Sequence, residues 1–244
     1  MSLQLQMLGT GGAFAKKYYN NNGLLYCGNF TLLIDCGITA PLSLHQLGKS
    51  LDEIDAILIT HIHGDHVGGL EELAFRMKYV VGRKPVLYIA DKLVSPLWDN
   101  TLRGGMEQDE STSLEDFFEV RLLTEGQSTP LCNDLTVELI QTPHIPGKAS
   151  YSLYINDEVF YSADMIFQPD LLKHLVYERG CRKIAHEVQL TGKGEVHTTL
   201  QELLSLPTEI QEKISLMHYG DEMEMYAREI GEMNFLQQHK IYTL

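Results

Sequence analysis

An apolar run that ends in a dense group of histidines constrains this chain more than any other feature of its sequence. Residues 54–60 read Ile-Asp-Ala-Ile-Leu-Ile-Thr, and residues 61–66 follow at once as His-Ile-His-Gly-Asp-His. A short, nearly uninterrupted apolar run is typical of a buried strand. Four potential ligands within six residues are too dense for core histidines that merely satisfy their hydrogen bonds. The sequence therefore predicts a metal-binding loop at the carboxyl end of a core strand.

The spacing of the donors in this loop has a physical reason. His61 and His63 lie two residues apart in an extended turn and can share one ion, while Asp65 and His66 turn toward a second. Gly64 permits the tight turn between the two pairs. Neutral imidazoles and a carboxylate suit zinc, and mixed nitrogen and oxygen sites also accept manganese or iron. We expect two divalent ions, zinc first, with manganese as the alternative.

Two ions need more ligands than one loop supplies, and later segments offer candidates. Three polar residues each stand just beyond a predicted strand: His144 after residues 135–140, Asp164 after residues 159–161, and His218 after residues 214–217. In an α/β sheet, the loops at the carboxyl ends of the strands face the ligands. Segments far apart in the chain can therefore converge on one edge of the fold.

The remaining pattern predicts an α/β fold in a single domain spanning residues 1–244. Further strands are predicted at residues 3–8, 24–26, 31–34, 86–90, 120–123, 152–155 and 184–186, and helices at residues 42–47, 69–78, 169–177 and 199–205. No repeat, low-complexity block or Pro/Gly/Ser-rich linker divides the sequence. A chain of 244 residues that is 44% hydrophobic is long enough to bury one substantial core.

The net charge argues against one class of partner. The chain carries 33 acidic and 19 basic residues, a formal charge of −14, and it has no basic tract. Proteins that grip a phosphate backbone normally supply clustered lysines and arginines to displace its counterions. We therefore expect no long nucleic acid as a partner.

Composition also bears on location. No stretch approaches the roughly 18 consecutive apolar residues of a membrane span, and the N-terminus begins as a strand rather than as an export signal. The four cysteines are scattered, with no Cys-x-x-Cys pair, as is typical of a reducing compartment. We expect a cytoplasmic protein without a membrane partner.

Residues 106–119 differ in composition from the rest of the chain. They contain six acids and no base, which predicts a solvated excursion, either a charged surface loop or a short helix. A lid or a dimer contact over the metal site is the alternative.

The glycines at positions 9, 11 and 12 suggest a turn. A phosphate cradle would need a Gly-Lys-Ser/Thr ending, which this run lacks, so a strand-to-loop turn is favoured. In the segment that follows, Tyr18 and Tyr19 have the chemistry to stack on a base, although an exposed polar hairpin is the simpler interpretation.

The order of these motifs resembles the metallo-β-lactamase superfamily, in which His-x-His-x-Asp-His is followed by His, Asp and His at later strand ends. The resemblance covers essentially the whole chain, from Leu-Gly-Thr-Gly at 8–11 through Leu-Ile-Asp-Cys-Gly at 33–37 to Met-His-Tyr-Gly at 217–220. It implies a four-layer αββα sandwich with a dinuclear site at one edge.

The resemblance also implies a role for each ligand. One zinc would be held by His61, His63 and His144, the other by Asp65, His66 and His218, and Asp164 would bridge both. Asp35 is expected to brace the metal loop without binding a metal itself.

Other residues resemble the phosphodiesterase branch of the superfamily, which includes the tRNA 3′-processing ribonuclease and bacterial cyclic-nucleotide phosphodiesterases. His-Glu at 186–187, followed by His-Thr-Thr at 197–199, is similar to two elements of that branch. A carboxylate can orient and charge an imidazole that then contacts or protonates a phosphate oxygen. We therefore predict catalytic roles for Glu187 and His197 beside Asp65, which would help to hold the attacking water.

Residues 15–22 and 61–72 resemble most closely the anti-Pycsar proteins, viral and bacterial enzymes that degrade the cyclic mononucleotides used as alarm signals in antiphage defence. This resemblance implies hydrolysis of 3′,5′-cyclic CMP and UMP, and also of cyclic AMP and GMP, to 5′-monophosphates by a homodimer.

Other functions remain open. A tRNA 3′-processing endoribonuclease would use the same site but needs a basic arm to grip tRNA, and the sequence shows none. A non-catalytic nucleotide-sequestering protein has no need of the complete ligand set. A thiolester or lactam hydrolase is disfavoured by the pair Glu187 and His197.

Overall fold

Two seven-stranded sheets form the core of the computed structural model, which describes residues 3–244. Met1 and Ser2, with which the predicted domain begins, lie outside the described residues. The first sheet has the spatial order β14 (Ile241–Thr243), β1 (Gln4–Met7), β2 (Gly23–Cys27), β3 (Phe30–Ile34), β4 (Ala56–Leu58), β5 (Val86–Ala90) and β6 (Glu119–Leu123). The second has the order β13 (Asn234–Phe235), β12 (Ile214–Met217), β11 (Lys183–Glu187), β10 (Val159–Tyr161), β9 (Tyr151–Ile155), β8 (Leu135–Gln141) and β7 (Thr129–Cys132).

Each sheet combines an antiparallel and a parallel part. From β14 through β3 the pairing is antiparallel, and from β3 through β6 it is parallel. In the second sheet, β7 through β10 pair antiparallel, and β10 through β13 pair parallel. Strands β4 and β10 are buried at every position, as expected for central strands covered on both faces.

The helices complete the layers. They are α1 (Ala40–Gln46), α2 (Gly64–Val67), α3 (Leu70–Phe75), α4 (Asp91–Leu97), α5 (Arg103–Met106), α6 (Pro169–Tyr177), α7 (Leu200–Leu204) and α8 (Thr208–Gln211). Side chains alternate along β9, so that Leu153 joins the core between the sheets while Tyr154 packs with α6, α7 and α8 on the other face. Residues of α1, α3 and α4 belong to the larger core with the first sheet. The expected four-layer αββα sandwich is confirmed.

The strand predicted at residues 54–60 is shorter in the structure. Ser50 caps a 3₁₀ turn at Leu51–Glu53, and the strand ladder covers only Ala56–Leu58. Beyond it, the backbone N–H of Thr60 donates to the Asp35 carboxylate at 2.9 Å rather than to a neighbouring strand. The prediction overran the strand because the Ile54 N–H donates to the Leu51 carbonyl of the 3₁₀ turn at one end, and a side-chain acceptor takes the Thr60 N–H at the other.

The helical region at residues 91–106 was not predicted. Helices α4 and α5 flank a π-helical segment at Trp98–Leu102, despite Pro96 and a Gly-Gly pair at 104–105. Leu93, Leu97, Leu102 and Met106 are all buried in the core, and this burial outweighs the poor local helix propensity. A second π-helical segment, Arg76–Val81, replaces the end of the helix predicted at residues 69–78.

The acidic segment is only partly a solvated excursion. Glu107, Asp109 and Glu110 are exposed, but the four apolar residues of the same segment are in the core: Met106, Leu114, Phe117 and Phe118. The prediction weighed the charges and overlooked this apolar group, which anchors the segment to the body of the protein.

Within residues 3–244, no helix has the length and apolar character needed to cross a bilayer. All four cysteines are free thiols, and Cys27, Cys36 and Cys181 are buried.

Candidate metal centre

The histidine loop projects from the end of β4 and passes directly into the short helix α2. His63 precedes the first residue of the helix, so Asp65 and His66 lie in its only turn. The polypeptide packs tightly here, since a Cβ on Gly37 would overlap the carbonyl oxygen of Asp65. Asn22 ties the same region together by donating to the Asp65 carbonyl at 3.2 Å and accepting from the Gly37 N–H at 2.9 Å. The loop is therefore held by main-chain contacts as well as by its own turn.

One donor cluster forms on the β8 side of the loop. Its donor atoms belong to His61, His63, His144 and Asp164. Nε2 of His61 lies 3.0 Å from Nδ1 of His63, which lies 3.4 Å from Nε2 of His144. Oδ2 of Asp164 is 3.6 Å from Nε2 of His61 and 3.8 Å from Nε2 of His144.

A second cluster lies beside the first and shares Asp164. It contains Asp65, His66, Asp164 and His218. Oδ2 of Asp65 lies 3.2 Å from Nε2 of both His66 and His218. The other Asp164 oxygen, Oδ1, is 3.4 Å from each of the same two nitrogens. The two oxygens of a single carboxylate therefore serve two adjacent clusters.

The donor sets fit divalent metal ions. Four ligands placed tetrahedrally about 2.0–2.1 Å from zinc are separated from one another by about 3.3 Å, close to the distances in both clusters. His66 Nε2 and Asp164 Oδ1 are buried and have no hydrogen-bond partner within the described residues. Buried polar atoms without a partner are costly, and an ion would satisfy both.

Neighbouring groups fix which imidazole nitrogen faces each cluster. Nδ1 of His66 lies 2.7 Å from the Asp35 carboxylate, and Nδ1 of His144 lies 2.7 Å from the Val196 carbonyl. Each Nδ1–H donates to its oxygen, which leaves the Nε2 lone pair free for a metal. Asp35 thus occupies the bracing position expected from the sequence, whereas the Val196 carbonyl was not anticipated because no local pattern marks a main-chain acceptor 52 residues away.

The ionisable side chains of the two clusters shift one another's pKa values. Burial opposes ionisation of Asp65, but His66 and His218 outweigh it and hold the pKa of that carboxyl well below its usual range. Burial likewise lowers the pKa of His218, yet Asp164 and Asp65 outweigh it and raise that pKa to about 9. Burial and the neighbouring His66 hold the pKa of His61 well below its usual value. These shifts keep Asp65 ionised and His61 neutral, which are forms that bind metal, whereas His218 is held protonated and would give up its proton to a bound ion.

His197 and Glu187 lie at the edge of the clusters. The Glu187 side chain is fully buried, and its Oε1 accepts from the backbone N–H groups of Met165 and Thr198 at 3.1 Å each. Nδ1 of His197 lies 3.2 Å from the same oxygen. Although burial lowers the pKa of His197, the hydrogen bond to Glu187 outweighs it and raises the pKa. The ring stacks on His218, with centroids 5.2 Å apart.

Strained backbone conformations occur at the same edge. Asp35, Ala163 and His218 have positive φ angles of 58°, 49° and 58°. Such angles are uncommon outside glycine, and they persist where the surrounding structure over-determines the conformation, often at functional sites.

Two clefts open from the centre. One of about 780 Å³ adjoins His61, His63 and His144 and includes Lys92 and Lys148 in its walls. The other, of about 420 Å³, adjoins His197 and His218. A small ligand can therefore approach the clusters from either side.

All the residues predicted for the site converge on this edge. The seven predicted ligands form the two clusters, and Glu187 and His197 lie beside them. Their roles as ligands and as catalytic groups stay predictions.

Comparison with known proteins agrees with the resemblance in sequence. A family model described as anti-Pycsar protein Apyc1 matches residues 3–242. The chain is 72% identical to an anti-Pycsar protein Apyc1 of Paenibacillus sp. (strain J14), with 100% of each chain covered. It is 58% identical to an anti-Pycsar protein Apyc1 of Saccharibacillus brassicae, covering 99% of this chain and 100% of that one. Among solved structures, the metallo-β-lactamase fold protein YhfI from Bacillus subtilis covers 99% of both chains with a TM-score of 0.75 at 19% identity, which supports the same fold.

Proposed function

Because this chain belongs to the anti-Pycsar protein Apyc1 family, we propose that it is a dinuclear metal-dependent phosphodiesterase that hydrolyses 3′,5′-cyclic mononucleotides to nucleoside 5′-monophosphates. The observation that carries the proposal is the position of Asp164, whose two oxygens belong to two adjacent four-donor clusters. Cyclic CMP and cyclic UMP are the first substrates to test, followed by cyclic AMP and cyclic GMP. Such hydrolysis would counter Pycsar antiphage signalling, which is in keeping with the anti-Pycsar description of the family.

The ligand roles follow the two clusters. His61, His63 and His144 would hold one zinc ion, Asp65, His66 and His218 would hold the other, and Asp164 would bridge them; manganese is the alternative metal. Such a pair of ions lowers the pKa of bound water and balances charge on phosphate oxygens. Asp65 and Asp164, both buried and ionised, would orient the attacking water by accepting its hydrogen bonds.

His197 would protonate the leaving oxygen of the ribose. Its Nδ1 is engaged by Glu187, so Nε2 is the nitrogen available to substrate. As the oxygen of water bonds to phosphorus, the water would release one proton to solvent. The bond from phosphorus to O3′ would break, and a protonated His197 would give its proton to O3′ and later regain one from solvent. The raised pKa of His197 favours this protonated form, and the product keeps its phosphate on O5′.

The charge of the protein suits a small substrate better than a long one. Two divalent ions would bring the formal charge from −14 to about −10, which still repels a long polyanion. A cyclic mononucleotide carries a single negative charge and needs only a local cationic pocket. These considerations disfavour a tRNA 3′-processing endoribonuclease.

A combined measurement tests the proposal. Metal content per chain is determined, and turnover is measured on cyclic CMP, UMP, AMP and GMP beside a precursor tRNA. We expect two ions per chain and conversion of cyclic nucleotides to 5′-monophosphates. Cleavage of the tRNA alone would support the endoribonuclease, and binding without turnover in equilibrium dialysis would support a nucleotide-sequestering protein.

We also propose that the protein acts as a homodimer in the cytoplasm of a bacterial cell. Its free cysteines suit a reducing compartment, and the family resemblance supports the dimer. The match of one family model to residues 3–242 supports a single domain. Light scattering after gel filtration tests the dimer, and limited proteolysis tests the domain.

A further inference from the structure

A single aromatic ring stands exposed beside the candidate metal centre. Phe14 is 92% exposed, a higher fraction than for any other large apolar side chain within residues 3–244. An exposed phenyl ring gains nothing from core packing. Single exposed apolar side chains are common on protein surfaces, so the position of this ring at a cleft beside the metal centre is what carries the argument.

The turn that carries Phe14 is held in place by the segment that follows a metal ligand. The backbone N–H of Gly12 donates to the Tyr219 carbonyl at 3.0 Å. The N–H groups of Lys16 and Lys17 donate to the Asp221 carboxylate at 2.9 and 2.8 Å. Both ends of the turn are therefore fixed, so the ring is presented from a defined backbone position.

The same turn abuts the metal centre. A Cβ placed on Gly12 would lie 3.2 Å from the carbonyl oxygen of His218 and 3.3 Å from Cε1 of its ring. The cleft of about 420 Å³ is lined by Phe14 together with His197 and His218. Phe14 thus shares a cleft with the group assigned to the leaving oxygen.

We propose, on the premise of the function above, that Phe14 is the platform on which the base of the cyclic nucleotide stacks. A nucleotide whose O3′ lies at His197 occupies the cleft that Phe14 also lines, and in the proposed pose its base points toward that ring. An aromatic ring stacks on any base because every base has a π face. Phe14 therefore contributes affinity without selecting among bases.

The other aromatic residues of the loop are already engaged. Tyr18 packs edge-on against Tyr219, with centroids 5.0 Å apart, and Tyr19 stacks on His239 at 6.0 Å. The larger cleft on the opposite side contains lysines and Asn100 in its lining but no phenylalanine, tyrosine or tryptophan. Among the described residues that line the two clefts, Phe14 is the aromatic side chain free to stack.

The test compares Phe14→Ala with the wild type on all four cyclic nucleotides. Loss of stacking raises KM by a factor on the order of 10 to 100, similarly for each base, with kcat nearly unchanged. Phe14→Tyr keeps the ring and restores KM. Val80→Ala removes an exposed apolar side chain outside both clefts and leaves KM unchanged, as a matched control.

A binding measurement gives a readout besides turnover. Equilibrium dialysis of a cyclic-nucleotide phosphorothioate analogue shows weaker binding to Phe14→Ala, while metal content and oligomeric state stay those of the wild type. Unchanged KM and binding in Phe14→Ala, or a rise in KM for Asn100→Ala instead, overturns the assignment. A change of oligomeric state in Phe14→Ala overturns it in favour of a contact between subunits. If the wild type hydrolyses no cyclic nucleotide, the proposed function itself fails.

Discussion

The carboxylate of Asp35 lies 2.7 Å from Nδ1 of His66, and both side chains are fully buried. The same carboxylate accepts from the backbone N–H and the hydroxyl of Thr60 at 2.9 and 2.7 Å. One buried acid therefore connects the end of β4 to a candidate metal ligand and fixes which nitrogen of that ligand faces the second cluster.

Asp35→Asn should weaken the second metal site selectively. The substitution keeps the volume but removes the negative charge that orients His66, and such outer partners typically contribute 10- to 100-fold to metal affinity. Metal analysis during chelator titration should show one ion lost earlier than in the wild type. Asp55→Asn, at an exposed carboxylate outside the centre, is the control. Equal metal affinities in the wild type, Asp35→Asn and Asp55→Asn would contradict the proposal that Asp35 orients His66.

Asp65→Ala should remove one ion and nearly all phosphodiesterase activity, because it deletes a donor found only in the second cluster. Metal content per chain and turnover are measured on the same sample. The control is Asp99→Ala, which removes an exposed acid that belongs to neither donor cluster. Its metal content and turnover should match those of the wild type. Full activity in the Asp65 variant would refute the dinuclear proposal.

His197→Ala should lower kcat about 10²-fold or more if the imidazole acts as a general acid. Bound metal should change little, because the predicted metal ligands do not include His197. Inductively coupled plasma mass spectrometry beside initial rates separates the two effects. Loss of metal with the same fall in rate would identify His197 as a structural residue instead.

Glu187→Gln should move the pH dependence of kcat. The carboxylate raises the pKa of His197 against the opposing effect of burial, so its neutralisation lowers that pKa. A general acid acts in its protonated form, and activity falls as pH rises through its pKa. The descending limb of the variant's profile should therefore shift to lower pH, and an unshifted limb would show that Glu187 does not tune His197.

Gly37→Ala should destabilise the protein and weaken metal binding together. The added Cβ would overlap the Asp65 carbonyl, and overpacking of this kind typically costs about 1–3 kcal/mol, with larger costs where the backbone must move. Urea unfolding of the metal-free protein and a zinc titration measure the two effects. Gly104→Ala, where an added Cβ meets nothing within 4 Å in helix α5, should be neutral or slightly stabilising. Equal stability of both variants would contradict the close approach.

Local patterns predicted much of the fold. Strands β5, β10 and β12 and helix α6 have the predicted bounds, because short apolar runs between turns and a proline at the first helical position are signals within a few residues. Helices α4 and α5 escaped prediction because their stability comes from burial of Leu97 and Met106 against distant parts of the chain. Propensity carries no information about such contacts.

The sequence by itself determined the chemistry of the candidate site. The types of donor, their density at residues 61–66 and the order of His144, Asp164 and His218 are all visible without coordinates. These features depend on residue identity and on positions at strand ends, which short apolar runs and the turn residues between them encode locally.

Only the tertiary structure decided how the donors are shared and supported. Contacts between distant segments direct one Asp164 oxygen to each cluster and place the Val196 carbonyl where it fixes the tautomer of His144. The same packing leaves Phe14 uncovered. Distances of a few ångströms depend on how two sheets pack. Spacing along the chain does not contain that information.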